Sequence, residues 1–466
     1  MKEIKKIILS GMPVWPIIEG GKGIGVSNGD TAGAFAAAGA VGTISGVCPP
    51  MFDVSGKMIP TIFSGQTRFE RHKETILHSI EGSIREIKKA YKISEGKGRL
   101  HLNVLWGVAG AEEIIESVLS ETKGMLHGIT CGAGMPYRLG AVAKKFNVYY
   151  YPIVSSARAF SALWSRAYKE VADYLGGIVY EDPWKAGGHN GLSNKENPLV
   201  PESAYERVSL IRETIKKQGL VDTPIIMAGG VWNLQQYEDW LDNAEIGPVA
   251  FQIGTRSLLT KESPISEQWK QKLASLKKGD IILNNYSSTG FYSSAIKNEF
   301  LTELEERSGR QIPFSTEETE AFSVPFEKKG TEQLYISEES KGKAQQWIME
   351  GYTKPLITPE STAVFVTKEK ASEIKKDQRD CKGCLVACKF SSWSIDPTRN
   401  YTTGIPADPR SFCIFKTLQN IVCGSDMEKE LAFSGHNSYK FALDPMYSNG
   451  YVPSIKELIQ QMLQGK

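Results

Sequence analysis

The chain has 466 residues, 41% hydrophobic and 23% charged, the make-up of an ordinary folded globular protein. Its 55 basic and 53 acidic residues leave a net charge of +2, a balance that argues against a nucleic-acid partner. No apolar run approaches the roughly 20 residues that a membrane crossing needs, and seven cysteines are too few for a disulfide scaffold. The first apolar run, Ile7-Ile8-Leu9, is interrupted almost at once and enters Pro13-Val14-Trp15-Pro16 without a small-residue cleavage site. No secretory signal is therefore expected, and the expected location is cytoplasmic.

From residue 16 to 258, short apolar runs alternate with helical patterns. In chain order the runs are 16–21, 41–46, 100–106, 125–132, 148–154, 177–181, 224–230 and 248–254. They are rich in Val and Ile and bounded by Gly or Pro, as buried parallel strands are. Between them Ile76, Ile80, Ile84 and Ile87 share one helix face, as do Ala204, Val208, Ile211 and Ile215. Asp30-Thr31 is expected to cap the first helix and Ser203 a later one. Eight strands alternating with helices predict an α/β fold, a parallel (β/α)₈ TIM barrel. An open doubly wound sheet is the alternative. The Gly-rich turn 20–25 suits it, but no acidic residue ends the second run, as its dinucleotide fingerprint requires.

After residue 260 the rhythm stops. A helix is expected at 266–276, an apolar run at 281–283, a helix at 341–350 and a last amphipathic helix at 454–463. The segment 310–375 is rich in Glu, Lys, Ser and Thr, too polar for a core of its own. The expected domains are a barrel at 10–260, a helical and irregular insertion at 261–375, and a cysteine-rich extension at 376–466 that packs back on the barrel.

The site of such a barrel lies at the C-terminal ends of its strands. Those ends carry Gly20-Gly21, Asn103, Gly132-Ala133-Gly134, Ser155-Ser156, the stretch 181–189, Ala228-Gly229-Gly230 and Gln252-Ile253-Gly254-Thr255-Arg256. Glycines after the seventh and eighth strands let backbone N–H groups form an anion nest, where this fold commonly binds phosphate; tight turns alone are the plainer reading. In Gly187-Gly188-His189-Asn190-Gly191, paired glycines expose the backbone to a flat ligand. Histidine there suits proton transfer or contact with a developing anion, with a surface turn as the alternative. Tyr149-Tyr150-Tyr151 reads as strand packing. His72, His78 and the charge runs at 272–278 and 317–320 read as solvated.

These pieces resemble a known family. Pro16-Ile17-Ile18 with its Gly-rich loop, the segment 38–42, Ala186-Gly187-Gly188-His189-Asn190-Gly191, Ala228-Gly229-Gly230-Val231 and Gln252-Ile253-Gly254-Thr255-Arg256 stand in the order found in the nitronate monooxygenase (2-nitropropane dioxygenase) family. That family includes NAD(P)H-dependent flavin reductases and FMN-containing enoyl-acyl-carrier-protein reductases. The resemblance implies FMN phosphate contacts from Gly229, Gly230, Gly254 and Thr255, and implies that Gly20, Gly21, Asn103 and Gln252 lie near the flavin. It makes His189 the catalytic histidine, with Gly187, Gly188 and Ala228 beside the cofactor. Two departures touch the substrate side: Glu19-Gly20-Gly21-Lys22 where the family carries a methionine, and the longer, charged turn 181–185.

Cys381-x2-Cys384-x3-Cys388, with Cys413 downstream, is a candidate metal site. Its spacing resembles the iron–sulfur segment after the FMN barrel of dienoyl-CoA reductases, with a longer gap to the fourth cysteine. A [4Fe-4S] cluster, zinc, or free thiols on one helix face all remain open. Cys413 is preferred over Cys423 because it lies in the apolar run Phe412-Cys413-Ile414-Phe415, whereas Cys423 precedes a turn.

The expected function is FMN-dependent oxidation of alkyl nitronates, or similar small acidic carbon compounds, by O₂. Two alternatives stand beside it: an NAD(P)H-dependent flavin reductase acting on a quinone or an enoyl thioester, and a non-enzymatic phosphate-binding barrel with a metal-dependent interaction module. The expected partner is a small-molecule substrate, with a homo-oligomer possible and neither nucleic acid nor membrane.

Overall fold

The computed structural model describes residues 2–49, 51–52, 58–59, 61–193, 195–423 and 426–464. Eight parallel strands close a barrel: β1 (Ile17–Glu19), β2 (Val41–Ser45), β3 (Arg99–Leu105), β4 (Gly128–Gly132), β5 (Tyr149–Val154), β6 (Ile178–Glu181), β7 (Ile225–Ala228) and β8 (Val249–Ile253). Neighbours in sequence are neighbours in the sheet, and β8 pairs with β1 through Phe251↔Ile17 to close the ring. All eight expected runs are these strands.

The two faces of each strand divide the apolar residues with period two. Ile18, Val41, Val179, Ile226, Ala228 and Ala250 point into the barrel, while Ile17, Ile178, Ile225, Met227 and Phe251 meet the surrounding helices. The hairpin Ile7–Leu9 and Met12–Val14 plugs the bottom with Leu9 and Val14, both fully buried. Ser10 at its turn shares a hydroxyl contact with His101 Nε2 (2.9 Å) and Tyr151 (2.8 Å).

Helix starts follow capping chemistry. Thr67 and Glu70 form a capping box on the helix Arg68–Ser94, and Ser203 accepts from Glu206 N as expected. The first helix, Gly29–Ala37, is capped by Asn28 and not by Asp30-Thr31: Asn28 Oδ1 accepts from Thr31 N at 3.0 Å. His72, expected in solvent, is buried with Nδ1 2.9 Å from the Gly383 carbonyl. The tail covers that face of its helix, which local sequence does not reveal.

Past β8, strands Ile281–Asn284 and Ser293–Ile296 pair antiparallel, and the second also pairs with Gly188–His189. The segment expected to be too polar for a core has one. Ile312, Phe314, Leu334, Ile336, Ala363 and Phe365 form an apolar cluster between a three-stranded sheet, the hairpin Val324–Lys329 and Glu332–Ile336, and the helix Glu338–Met349. A few large residues at strand spacing suffice, because Trp347 and Phe326 both pack on Phe365.

The tail returns to the barrel. The closing helix Ile455–Gln464 buries Ile455, Leu458, Ile459 and Met462. Asp444 accepts from Arg256 Nη2 (3.0 Å) and Trp232 Nε1 (2.8 Å), joining the tail to the loops after β8 and β7. Arg256 is 1% exposed. Removing its carboxylate partner strands a buried cation, so Asp444→Ala should lower stability by about 3–5 kcal/mol. Arg256 also donates to the Gln461 amide oxygen and the Trp232 carbonyl. Urea unfolding of the two proteins measures the loss, and a value below about 1 kcal/mol would show that these two acceptors suffice for Arg256.

Candidate functional site

A cavity of about 540 Å³ opens at the C-terminal ends of the strands. Gly20, Gly21, Asn103, Gly187, Gly188, His189, Ala228, Gly229, Gly230, Gln252, Gly254 and Thr255 all line it. Residues scattered over the whole barrel sequence thus share one chamber. The glycines do different work. Gly229 (φ +90°) and Gly230 (φ +76°) turn the chain after β7 through backbone space that other residues rarely enter. At Gly21 the issue is room: a Cβ there would lie 2.2 Å from Asn103 Oδ1.

The tail completes the chamber, and sequence reasoning missed this. Gly435 N donates to Thr255 Oγ1 at 2.9 Å, and Asn437 Nδ2 donates to the Gly230 carbonyl at 2.6 Å. A Cβ on Gly187 would stand 2.7 Å from Gly435 N, so the absence of a side chain here admits the tail. The polar run 434–438 was the only signal, and nothing local says what it docks on.

His189 sits on the short strand that pairs with Ser293. Its Nε2 lies 2.6 Å from Ser287 Oγ, which is 3.0 Å from Thr289 Oγ1. Phe433 meets the ring edge-on, with centroids 5.2 Å apart. Part of the imidazole borders the cavity and protein encloses the rest, and this burial pushes its pKa down to about 4. His189 is therefore neutral at physiological pH. Asn190 beside it borders the cavity, and its Nδ2 is buried without a hydrogen-bond partner.

Charged groups also reach the lining: Lys22, Glu181, Lys185 and Arg256. Lys22 pairs with Glu19, whose other oxygen accepts from Thr43 N at 3.0 Å. Glu181, the last residue of β6, opens on the cavity, and burial, helped by neighbouring Asp182, pushes its carboxyl up to about 8.

The cysteines converge without forming the expected metal centre. Among the described residues no group of three or more His, Cys, Asp or Glu side chains is arranged to hold a metal ion, so an iron–sulfur cluster or zinc at Cys381, Cys384, Cys388 and Cys413 has no ligand set here. Nor do the first three share a helix face, since the segment is irregular. The Cys388 thiol donates to the Cys381 sulfur, which also accepts from Ser391 Oγ (3.2 Å) and Gly383 N (3.4 Å). Cys384 borders the cavity. The segment is held to the barrel by hydrogen bonds: Ala109 N to the Cys384 carbonyl (3.1 Å), Arg71 Nε to the Cys381 carbonyl (3.0 Å) and Thr75 Oγ1 to the Lys382 carbonyl (2.9 Å). The side chain of Cys423 and residues 424–425 lie outside the described residues.

A family description, Nitronate monooxygenase, matches residues 5–334. The chain belongs to the nitronate monooxygenase family. The match takes in the barrel and every strand-end residue above, and stops before the cysteine segment and the tail. Over 141 residues the chain is 29% identical to the "Probable nitronate monooxygenase" of Staphylococcus haemolyticus (strain JCSC1435), which covers 29% of this chain and 36% of that one. The chain thus spans about a third of the length of that curated relative.

Among solved structures it is similar to FabK from Thermotoga maritima, with TM-score 0.51 and 14% identity over 96% of this chain and 91% of that one. It is also similar to the enoyl reductase domain of MlnA from the macrolactin biosynthesis cluster of Bacillus amyloliquefaciens, with TM-score 0.50 and 11% identity over 97% and 93%. At these identities the likeness establishes the fold alone. No helix among the described residues is long and apolar enough to cross a membrane.

The raised Glu181 carboxyl has a readable consequence. A folded pKa above the unfolded value contributes stability that is fully present below about 4.5 and is lost as pH rises through about 8. Carbon NMR of glutamate-labelled protein should show one side-chain carboxyl titrating near pH 8, and Glu181→Gln should abolish that signal. A Glu181 midpoint below pH 5 would mean that water reaches the carboxyl freely.

Proposed function

We propose that the protein is an FMN-dependent oxidoreductase that oxidises alkyl nitronates or closely similar carbon acids, with O₂ as acceptor. One observation carries the reading: a single cavity joins the glycine loops after β7 and β8 to a desolvated histidine. The residues fit FMN. Gly229, Gly230 and Gly254 offer backbone N–H groups to a phosphate, with Thr255 and Asn437 beside them. Gly21, with Asn103 packed against it, and Gln252 border the same cavity and are the residues that would lie beside the ring system. FMN, when bound, supplies the electron-transfer chemistry that no side chain here can provide.

The protein's own part is binding and proton control. With Nε2 of His189 held by Ser287, Nδ1 is the nitrogen left to hydrogen-bond a substrate oxygen or exchange a proton with it. A base held near 4 is poor at removing a carbon-bound proton at neutral pH. The site therefore suits a substrate that arrives as the nitronate anion better than a neutral nitroalkane. An anion bound beside the imidazole favours its protonated form, so binding draws a proton in.

His189→Ala should retain the flavin and lower turnover of a nitronate by roughly 10²–10⁴-fold, the usual worth of a positioned acid or base. Steady-state oxygen uptake, with the flavin content of each preparation, separates catalysis from cofactor loss, and undiminished turnover would remove His189 from the reaction. Cofactor released by heat should chromatograph as FMN, since the chain lacks a dinucleotide fingerprint. Sustained NAD(P)H consumption without nitronate turnover would favour the reductase reading instead.

A further inference from the structure

The cavity has two unlike halves. The loops after β6, β7 and β8 and the tail give it Lys185, His189, Thr255 and Asn437. The opposite side is apolar. There the loops after β1, β2 and β3 supply Ile24, Val47 and Val108, each under 9% exposed. Facing them is the tail helix Ile414–Cys423, whose Ile414, Leu418 and Ile421 stand at i, i+4 and i+7 on one face. These three are 6%, 6% and 4% exposed, and each borders the cavity. Lys22, which borders the cavity close to Ile24, is paired with Glu19, and Lys416 on the wall helix is paired outside the cavity with Asp377.

Two features give the wall meaning. It encloses space that water fills poorly, because an ordered water needs two to four polar partners and these residues offer none. Its helix lies beyond residue 334, where the family match ends, while Ile24, Val47 and Val108 lie inside that match. The wall is therefore built where a segment outside the matched region packs across the barrel loops.

We propose that this wall is the subsite for an apolar chain of several carbons carried by the substrate, which makes the enzyme selective for longer alkyl nitronates over the smallest. The reacting head in this statement rests on the function proposed above; the chain subsite does not. Each methylene that enters the wall leaves water, equally in the bound and reacting states, so it raises kcat/KM.

Two arms test this with the flavin-loaded enzyme. In the first, kcat/KM is measured for straight-chain primary alkyl nitronates from ethyl to octyl. It should rise by about fourfold per methylene until the chamber is full. Leu418→Gln should flatten the series, and Leu418→Ala, the safer variant for folding, should move the plateau to longer chains. In the second arm, calorimetry with unreactive straight-chain alkanoates, butanoate to decanoate, should show Kd falling with the same increment. If alkanoates tighten with length while no nitronate is turned over, the subsite stands and the nitronate reading falls. Affinity and kcat/KM independent of chain length would overturn the subsite, as would a length dependence that neither Leu418 variant alters.

Discussion

The mouth of this barrel depends on one close approach, the backbone of Gly435 lying against Gly187 where no side chain fits. Several things follow from that contact. The loop 434–438 reaches Thr255 and Gly230, so the glycine turns after β7 and β8 gain a third wall. Phe433 comes to rest on the edge of His189. The preceding tail is carried across the opening, so that the helix Ile414–Cys423 faces the loops after β1 to β3. A barrel alone would leave a shallow dish at its strand ends; the tail makes it a chamber. Water exclusion strengthens every electrostatic interaction inside such a chamber.

Exclusion from water also sets the chemistry of the titratable groups. Among the described residues His189 meets the Ser287 hydroxyl and the Phe433 edge and no carboxylate, so burial leaves it neutral. Glu181 lies in the same cavity and is driven the other way, toward its protonated form. Both shifts have one cause, the cost of a charge in a poorly hydrated space, and together they leave the chamber less charged than its residues suggest. Lys22 and Glu19 meet as an ion pair, and Glu19 also accepts from the Thr43 N–H.

How far the sequence could be read varied with the range of the interaction. The eight strands were legible because each is a local apolar run with its own turn residues. The strand-end glycines and His189 were legible because the barrel fixes where strand ends go. Asn28 was passed over as a cap because Asp30 and Thr31 are also good capping residues, and only backbone geometry chooses among neighbours. The core within 311–366 was missed because composition averages hide a few large residues at strand spacing. The cysteine spacing suggested a metal that would order the tail, yet hydrogen bonds to the loop after β3 and to the helix Arg68–Ser94 already hold that segment.

By itself, then, the sequence determined the barrel, its direction, and which loops carry glycines and a histidine, since all of these follow from local periodicity and a fixed topology. Only the tertiary structure decided what closes the chamber. Ser287, Phe433, Gly435, Asn437 and Leu418 lie from about a hundred to well over two hundred positions away from the groups they meet. Nothing in a polar turn or an apolar helix face states its partner; that is fixed when the tail finds the one surface, at Gly187, where two backbones can touch.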